Sequence, residues 1–405
     1  MFIGQSQIPL PHVGCLGVEN TIVIAQSQGK GAVLGYGYDG VCRHNTQAQK
    51  YELITGQHGG YYRHGFVDHA YLYNLYFPPP AILTHLKNQM HDLILNYPVA
   101  QDALADLVGN FINQPPERIV VANGASELIK IVSGHLARRL IVPVPSFNEY
   151  ANAAPQGRAV EFALRSPSFH LDVGKFAAEA VRVGANVAVV VTPNNPTSLV
   201  VPRSDLIHLA KTLAKNDCML IVDESFIDFT RDRDQATLEQ DIELYPNMAI
   251  FKSMSKAFGI CGLRIGYMLT ANSGFAEAVR NNIHIWNVNG FAEEFLRLVP
   301  RYRQEFTESC DQVKADRDDL YEILCTVPGV TVYRPDANFV FCRLPDSSPD
   351  GPEVTRRLFI EHNIYIKHCQ GKTLPDSSRY IRISSRTKAE NRNLVEALAD
   401  ILDSP

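Results

Sequence analysis

Polar side chains follow several short apolar runs in the middle of the chain, and together they could do nucleophilic and acid–base chemistry. Asn195 lies in TPNNPTS, Asp223 closes CMLIVD, Lys256 follows MAIFKSMS, and Arg264 comes eight residues later in GLRIG. Ligands of open parallel sheets lie beyond the carboxyl ends of the strands. We therefore expect an amide, a carboxylate, an amine and a guanidinium to meet at one edge of a sheet.

This set of side chains is what pyridoxal 5′-phosphate (PLP) requires of a protein. A lysine amine forms an imine with the cofactor and later moves protons at the substrate Cα. A carboxylate beside the pyridine nitrogen keeps the nitrogen protonated, which makes the ring an electron sink. The phosphate needs N–H groups, hydroxyls and an arginine, and the turn ANGASE at residues 122–127 precedes a predicted helix.

Each motif taken alone also has an ordinary structural explanation. Asn-Pro pairs are common in turns, Asp223 could cap a helix, and Lys256 could lie at the surface. The joint occurrence of the motifs at predicted strand ends favours the PLP site. The sequence has no GxGxxG motif after its first predicted strand and no GxxxxGK[ST] motif. It therefore predicts neither a dinucleotide site nor a P-loop.

The segments around these motifs alternate between strand and helix. The predicted strands are apolar, β-branched runs of the kind buried on both faces of a sheet, namely RIVVANG, RLIVPVP, NVAVVVTP, CMLIVDES and MAIFKSM. ASELIKIVSGHLA and SDLIHLAKTLAKN lie between them with helical spacing of apolar residues. The alternation predicts an α/β domain with a largely parallel sheet.

The pattern divides the chain into three regions. Residues 1–57 contain NTIVI and AVLGYGY around a Gly-containing turn, which predicts a short N-terminal β appendage of unknown role. Residues 58–295 form the predicted large PLP-binding domain, in which residues 58–80 cover the active site. Residues 296–405 mix charged helical segments with short strands and predict a smaller C-terminal α+β domain.

The composition narrows the possible partners. A net charge of −5 with mixed signs argues against nucleic-acid and anionic-membrane partners. No run of about 18 apolar residues and no secretory signal pattern is present. The eight cysteines are scattered without a CxxC pair, so we expect reduced thiols in a cytoplasmic protein and no metal site.

The order NNPT, VDES and SMSKAFGICGLRIGY resembles class I/II aminotransferases of PLP fold type I. More narrowly, it is similar to the group that contains histidinol-phosphate aminotransferase and threonine-phosphate decarboxylase. The resemblance covers about residues 58–405 and implies a large domain with a mostly parallel seven-stranded sheet. It implies that Lys256 is the Schiff-base lysine, that Asp223 pairs with the pyridine nitrogen, and that Asn195 bonds the ring hydroxyl. The residues implied at the phosphate are Ala125, Ser126, Ser253, Ser255 and Arg264.

The same resemblance implies roles around the ring and the substrate. Phe147, in PVPSFNEY, falls where the family stacks an aromatic side chain on the ring. Tyr97, in LNYP, resembles the tyrosine that reaches the phosphate of the partner subunit's PLP, which implies a homodimer with shared active sites. Arg382, in YIRISS, is where the family binds the substrate α-carboxylate by bidentate pairing. Asn338, in DANFVF, resembles a second residue of the substrate pocket.

Three positions depart from the family pattern. The usual tyrosine of DxAY is Phe226, so one hydrogen bond to the ring hydroxyl is expected to be missing. Ser198 stands where NPTG has glycine, and a serine can replace that glycine if its φ is negative. The NxNP signature that helps cover the substrate is replaced by LYNLYFPPP at residues 72–80. The sequence therefore does not identify the substrate.

The sequence leaves the reaction open as well. The HGG element that begins at His58, together with Phe226 and a second arginine at Arg386, resembles the phospho-amino-acid decarboxylase branch, in which Arg386 would contact the substrate phosphate. Most of the wider superfamily transaminates, which narrowly favours an aminotransferase that acts on an amino acid or phosphorylated amino acid. A non-catalytic PLP-fold binding module is disfavoured because the lysine, the aspartate and the arginine are all present.

Overall fold

The computed structural model describes residues 46–55 and 59–403. Within these ranges the strands are β1 Val67–Asp68, β2 Ile119–Asn123, β3 Leu140–Val144, β4 Ala159–Ala163, β5 Val187–Val191, β6 Met219–Asp223, β7 Met248–Ser253, β8 Ile265–Thr270, β9 Thr331–Tyr333, β10 Phe339–Arg343, β11 Ile364–Tyr365, β12 Lys367–His368 and β13 Tyr380–Ser384. The α-helices of the same ranges are α1 Gln47–Thr55, α2 Pro80–Asn88, α3 Met90–Leu95, α4 Gln101–Ile112, α5 Ala125–Ile131, α6 Glu149–Ala153, α7 Val173–Arg182, α8 Arg203–Ala214, α9 Arg233–Ala236, α10 Met254–Ala257, α11 Ser273–Arg280, α12 Gly290–Leu298, α13 Arg303–Leu324, α14 Gly351–His362 and α15 Lys388–Asp403. None of the helices described is both long and apolar enough to cross a membrane.

The central sheet has seven strands in the order β2-β8-β7-β6-β5-β3-β4 among the described residues. Strand β8 runs antiparallel to both of its neighbours, and the remaining pairs are parallel. Every residue of β5 is buried because separate apolar clusters pack on the two faces, one around Leu206 and the other around Leu128. The predicted α/β fold with a mostly parallel seven-stranded sheet is confirmed.

The parallel strands bring the polar motifs to one edge of this sheet. Asp223 is the last residue of β6 and is in register with Val191 on β5 and Phe251 on β7. Ser253 is the last residue of β7, and α10, which carries Lys256, begins at the next position. The motifs after β5, β6 and β7 therefore emerge side by side, as expected for a ligand site at strand ends.

A second sheet lies in the C-terminal region and has the order β12-β13-β10-β9 in the part of the chain that the structure describes. Its strands are antiparallel. Helices α13, α14 and α15 cover it through a cluster that includes Leu320, Leu358 and Leu398. This arrangement of an antiparallel sheet with helices on it is an α+β unit within the region predicted as the smaller domain.

Most of the predicted N-terminal β appendage, including NTIVI and AVLGYGY, lies outside the described residues. Its described remainder differs from the prediction because Gln47–Thr55 forms the helix α1 rather than a strand. Ile54 on this helix is buried against Phe359 and Tyr365, and the ring of Tyr51 lies 5.7 Å from that of Phe359. Two apolar residues three positions apart on one helical face explain this docking.

The segment with LYNLYFPPP packs against α10, the helix that carries Lys256. The backbone N–H of Asn74 donates to the carbonyl of Lys256 at 2.8 Å, and its side-chain amide donates to the carbonyl of Ala257 at 2.9 Å. Gly259 has a φ of +63°, and a Cβ there would collide with the backbone oxygen of Phe77. Glycine in SKAFG is thus required by the close approach of this segment.

Candidate active site

Lys256 is the third residue of the short helix α10, among the charged groups that the sequence predicted around it. Burial lowers the pKa of Lys256, the charges of Arg382 and Arg264 lower it further, and Cys261 and Asp223 oppose this shift. A lysine with a lowered pKa holds more of its amine in the neutral, nucleophilic form. The structure thus brings the predicted amine into electrostatic contact with the predicted carboxylate and both arginines.

Asp223 is 4 % exposed and accepts hydrogen bonds on both carboxylate oxygens. The hydroxyl of Tyr150 donates to Oδ2 at 2.9 Å, and the N–H of Ser225 donates to Oδ1 at 3.0 Å. The Ser225 hydroxyl oxygen in turn accepts the N–H of Ser253 at 3.0 Å. Burial raises the pKa of Asp223, and the bonds from Ser225 and Tyr150 counteract that rise.

Tyr150, which donates this bond to Asp223, was not identified by the sequence motifs. It lies three positions after Phe147, in FNEY, on the short helix α6. No motif in FNEYANAA indicates which strand the Tyr150 hydroxyl contacts. The sequence therefore offered no signal for Tyr150 beyond its nearness to Phe147, the predicted ring-stacking residue.

Hydroxyls and a guanidinium form a cradle beside α5. Arg264 donates from Nη2 to the Ser126 hydroxyl at 3.1 Å and from Nη1 to the Ser255 hydroxyl at 3.5 Å. A Cβ on Gly124 would lie 2.5 Å from Arg264 Nη2, and a Cβ on Gly266 would lie 2.5 Å from the first backbone nitrogen of α5. The two glycines allow Arg264 and the first turn of α5 to approach closely, and the donors have the chemistry that a phosphate needs.

Arg382 has polar neighbours but no acidic partner among the described residues. Its Nη1 donates to Asn195 Oδ1 at 2.8 Å, and its Nη2 donates to the Ala70 carbonyl at 2.6 Å. Its Nε is buried without a hydrogen bond, and burial lowers the pKa of Arg382 to about 10. A guanidinium left without a counter-ion is costly, so this side chain is suited to receiving a carboxylate from a ligand.

Asn338 also lacks protein partners. It is 0 % exposed, and neither its amide oxygen nor its amide nitrogen forms a hydrogen bond within the described ranges. An unsatisfied buried amide costs about 1–3 kcal/mol. A ligand that supplies a donor or an acceptor would offset this cost, which agrees with the predicted place of Asn338 in the substrate pocket.

Phe147 and Asn195 complete the set around the ring position. The Oδ1 of Asn195 accepts a hydrogen bond from Arg382. This leaves the Nδ2 of Asn195 as a donor for a ring hydroxyl. Phe147 follows β3 and is 37 % exposed. The amine of Lys372 donates to the Ser146 carbonyl at 2.7 Å and to Asn148 Oδ1 at 2.9 Å, so it holds both flanks of Phe147.

Taken together, these residues fit PLP. The amine of Lys256, the carboxylate of Asp223 and the cradle of Arg264 have the three chemistries that the aldehyde carbon, the ring nitrogen and the phosphate need. Polar atoms of Asn338 and Arg382 form no hydrogen bonds among the described residues, and two glycines allow the groups of the cradle to pack closely.

Three predicted residues are not brought into this set. Tyr97 is 78 % exposed, and its ring stacks on Trp286 with 4.1 Å between centroids. Arg386 forms an ion pair with Glu390 at 3.1 Å and donates to a backbone carbonyl, so its charge is already paired. His58 lies outside the described residues.

The departures from the family pattern have structural consequences. Phe226 is buried edge-to-face against Phe339, with 5.2 Å between ring centroids. Ser198 replaces the glycine without the negative φ that this replacement was expected to require, since its φ is +62°. The Ser198 hydroxyl oxygen accepts the N–H of Ala337 at 2.9 Å, and this bond, which glycine could not form, helps to offset the cost of the left-handed conformation.

Comparisons with known proteins place the chain in a family. The family model described as Aminotransferase class I and II matches residues 75–398. The chain is 41% identical over 363 residues to CMP-5′-(3-aminopropyl)phosphonate synthase of Streptomyces rubellomurinus, which covers 90% of this chain and 57% of that protein. The chain thus spans less than two thirds of that relative's length.

Two further relatives match over most of their own length. The chain is 29% identical over 350 residues to L-serine phosphate decarboxylase of Sulfurospirillum multivorans, which covers 83% of this chain and 88% of that protein. The crystal structure of histidinol-phosphate aminotransferase from Clostridium acetobutylicum superposes with a TM-score of 0.75 at 26% identity, over 84% of this chain and 100% of that one. The chain belongs to the class I and II aminotransferase family and is a PLP-dependent enzyme of that fold.

Proposed function

We propose that this enzyme decarboxylates an α-amino acid that carries a phosphate or phosphonate at its distal end. The structural observation that supports an α-amino acid substrate is the guanidinium of Arg382, whose charge acts on Lys256 and which forms no ion pair within the described ranges. A substrate α-carboxylate would supply that partner through a charge-assisted, bidentate contact. The sequence motifs alone narrowly favoured amino transfer, whereas the names of the relatives favour decarboxylation.

The relatives support both the reaction and the distal group. One is named L-serine phosphate decarboxylase, and the other is named for CMP-5′-(3-aminopropyl)phosphonate. The aminopropylphosphonate part of that second name is an amine with a phosphorus acid and no carboxylate, as decarboxylation of 2-amino-4-phosphonobutanoate would leave it. The same substrate class is therefore proposed for this chain.

Cations around Arg382 could receive the distal anion. Burial lowers the pKa of Lys367 and lowers the pKa of Lys372 to about 8, and the charge of Arg382 lowers both pKa values further. Neither lysine forms an ion pair with an acidic side chain in the described part of the chain. A phosphate or phosphonate would neutralise them, whereas Arg386 would have to exchange Glu390 for the substrate.

The proposed work of each side chain follows from its position. Bound PLP supplies an electron sink for the charge left on Cα when the carboxylate departs as CO₂. Arg382 orients the carboxylate, and Asp223 holds the ring nitrogen in its protonated form. Lys256, once free and protonated, would donate a proton from its ammonium group to Cα.

Product analysis tests the proposal. With O-phospho-L-serine and 2-amino-4-phosphonobutanoate as probes, we expect CO₂ and the corresponding amine in equal amounts, and no 2-oxo acid. In D₂O the amine should carry one deuterium at the former Cα. Arg382→Gln should lower kcat/KM about 100-fold, because a charge-assisted contact to the carboxylate is lost. L-Alanine, which lacks the distal anion, is the matched control substrate and should react far more slowly.

Amino transfer is the second candidate, and the similarity to a histidinol-phosphate aminotransferase favours it. The same experiment separates the two reactions. Formation of a 2-oxo acid together with pyridoxamine phosphate, without CO₂, would replace decarboxylation by amino transfer as the proposed function.

We also propose that the enzyme is a homodimer. Large apolar side chains are exposed on α2, α3 and the loops that follow α3 and α11, namely Leu83, Met90, Ile94, Leu95, Tyr97, Ile285 and Trp286. Exposed apolar surface of this extent is typical of protein interfaces. A second copy of the chain would bury it, with Tyr97 reaching the partner's phosphate cradle as the family resemblance implies.

The oligomeric state can be measured by light scattering after gel filtration. The wild type is expected at twice 45.1 kDa. The double variant Ile94→Asp and Leu95→Asp should be monomeric, because burying two carboxylates at the interface is unfavourable. Leu244→Asp, which changes an exposed leucine in the turn before β7 and outside α2 and α3, should remain dimeric. A monomeric wild type would rule out the shared active site.

A further inference from the structure

Tyr150 is a fully buried tyrosine whose hydroxyl is committed to Asp223. Its ring packs in the apolar cluster that includes Leu128 and Ile129, and its hydroxyl donates to Asp223 Oδ2 at 2.9 Å. Phenylalanine would fill the same space without the hydroxyl. The polar atom at this position therefore has an effect on Asp223 that packing alone does not require.

We propose that Tyr150 is a positioning residue that keeps the Asp223 carboxylate ionised and directed at the cofactor's ring nitrogen. A buried carboxylate loses solvation, and hydrogen bonds donated to it restore the stability of its charged form. The groups that face Asp223 are the Tyr150 hydroxyl from α6, Ser225 from the turn after β6, and the amine of Lys256 from α10. The inference rests on the proposed pairing of Asp223 with the ring nitrogen and holds for either reaction.

The position of Tyr150 in the chain links two sides of the cofactor site. Phe147, the predicted ring-stacking residue, comes three residues earlier on the loop after β3. One short segment thus supports the face of the ring and, through Tyr150, the partner of its nitrogen. A shift of α6 would disturb both contacts together.

The test compares Tyr150→Phe with Tyr267→Phe in the full chain. Tyr267 is a matched control, since it is also buried and its hydroxyl donates to a buried carboxylate, Glu239, at 2.8 Å. Two readouts are measured for each variant: the dissociation constant of PLP and the pH dependence of the absorption band of the bound cofactor. The melting temperature of each apoprotein reports the general cost of losing a buried hydroxyl.

Tyr150→Phe is expected to weaken PLP binding about tenfold, since a hydrogen bond to a charged group is lost. Without the donor, Asp223 is protonated more readily, so the acid limb of the spectral titration should move to higher pH. Tyr267→Phe should lower the melting temperature comparably and leave both cofactor readouts unchanged.

The outcomes separate this inference from the role of Asp223. If Asp223→Asn weakens PLP binding and Tyr150→Phe changes neither readout, the inference about Tyr150 is overturned and the role of Asp223 stands. If Asp223→Asn also leaves PLP binding and the spectrum unchanged, the proposed pairing of Asp223 with the ring nitrogen is itself contradicted. Equal cofactor effects in Tyr267→Phe would reduce Tyr150 to a purely structural role.

Discussion

Lys256→Ala is expected to lower kcat by at least about 10³-fold, because it removes the amine that joins the cofactor and moves the proton at Cα. The lowered pKa of Lys256, which burial causes, leaves more of its amine in the neutral, nucleophilic form. Turnover is measured as CO₂ release. Borohydride treatment of the loaded wild type, followed by peptide mass spectrometry, should place the cofactor's mass on Lys256.

Two other lysines provide the controls. Lys215→Ala changes an exposed lysine at the end of α8 and should keep full activity. Lys252 is a stricter comparison because it is buried only four residues away, but its amine lies 3.1 Å from Asp228 in an ion pair. It should remain unlabelled. Labelling at Lys252, or normal turnover in Lys256→Ala, would show that the catalytic lysine had been misassigned.

Asp223→Asn is expected to lower kcat by about 100-fold or more, because a neutral amide cannot hold the ring nitrogen in its charged form. Burial raises the pKa of Asp223, so activity that needs its carboxylate should fall as the pH drops through that raised pKa. The acid limb of the kcat profile should then lie at higher pH than for an ordinary aspartate.

Glu224→Gln is the matched control for this variant. Glu224 follows Asp223 and is equally buried, but it points to the other face of the sheet, where it accepts bonds from Thr237 and the N–H of Leu238. Burial and the nearby Glu239 raise the pKa of Glu224, so a neutral glutamine is a mild change there. A loss of activity in Glu224→Gln as large as in Asp223→Asn would mean that the carboxylate effect is not specific to the ring.

The sequence by itself determined the fold class and the cofactor. Buried parallel strands are short apolar runs, and the chemistry of this fold lies in the few residues that follow them. NNPT, VDES and SMSK therefore identified Asn195, Asp223 and Lys256 without knowledge of the packing. Local patterns suffice for this purpose because strand ends are a local property of the chain.

The tertiary structure alone decided which side chains meet across the chain. The bond between Arg382 and Asn195 joins residues 187 positions apart, and that between Tyr150 and Asp223 joins residues 73 positions apart. The left-handed Ser198 likewise depends on Ala337 in the C-terminal region. Such contacts form when separate elements pack together, so no short motif predicts them. The bond from Tyr150 to Asp223 depends on the packing of α6 near the end of β6.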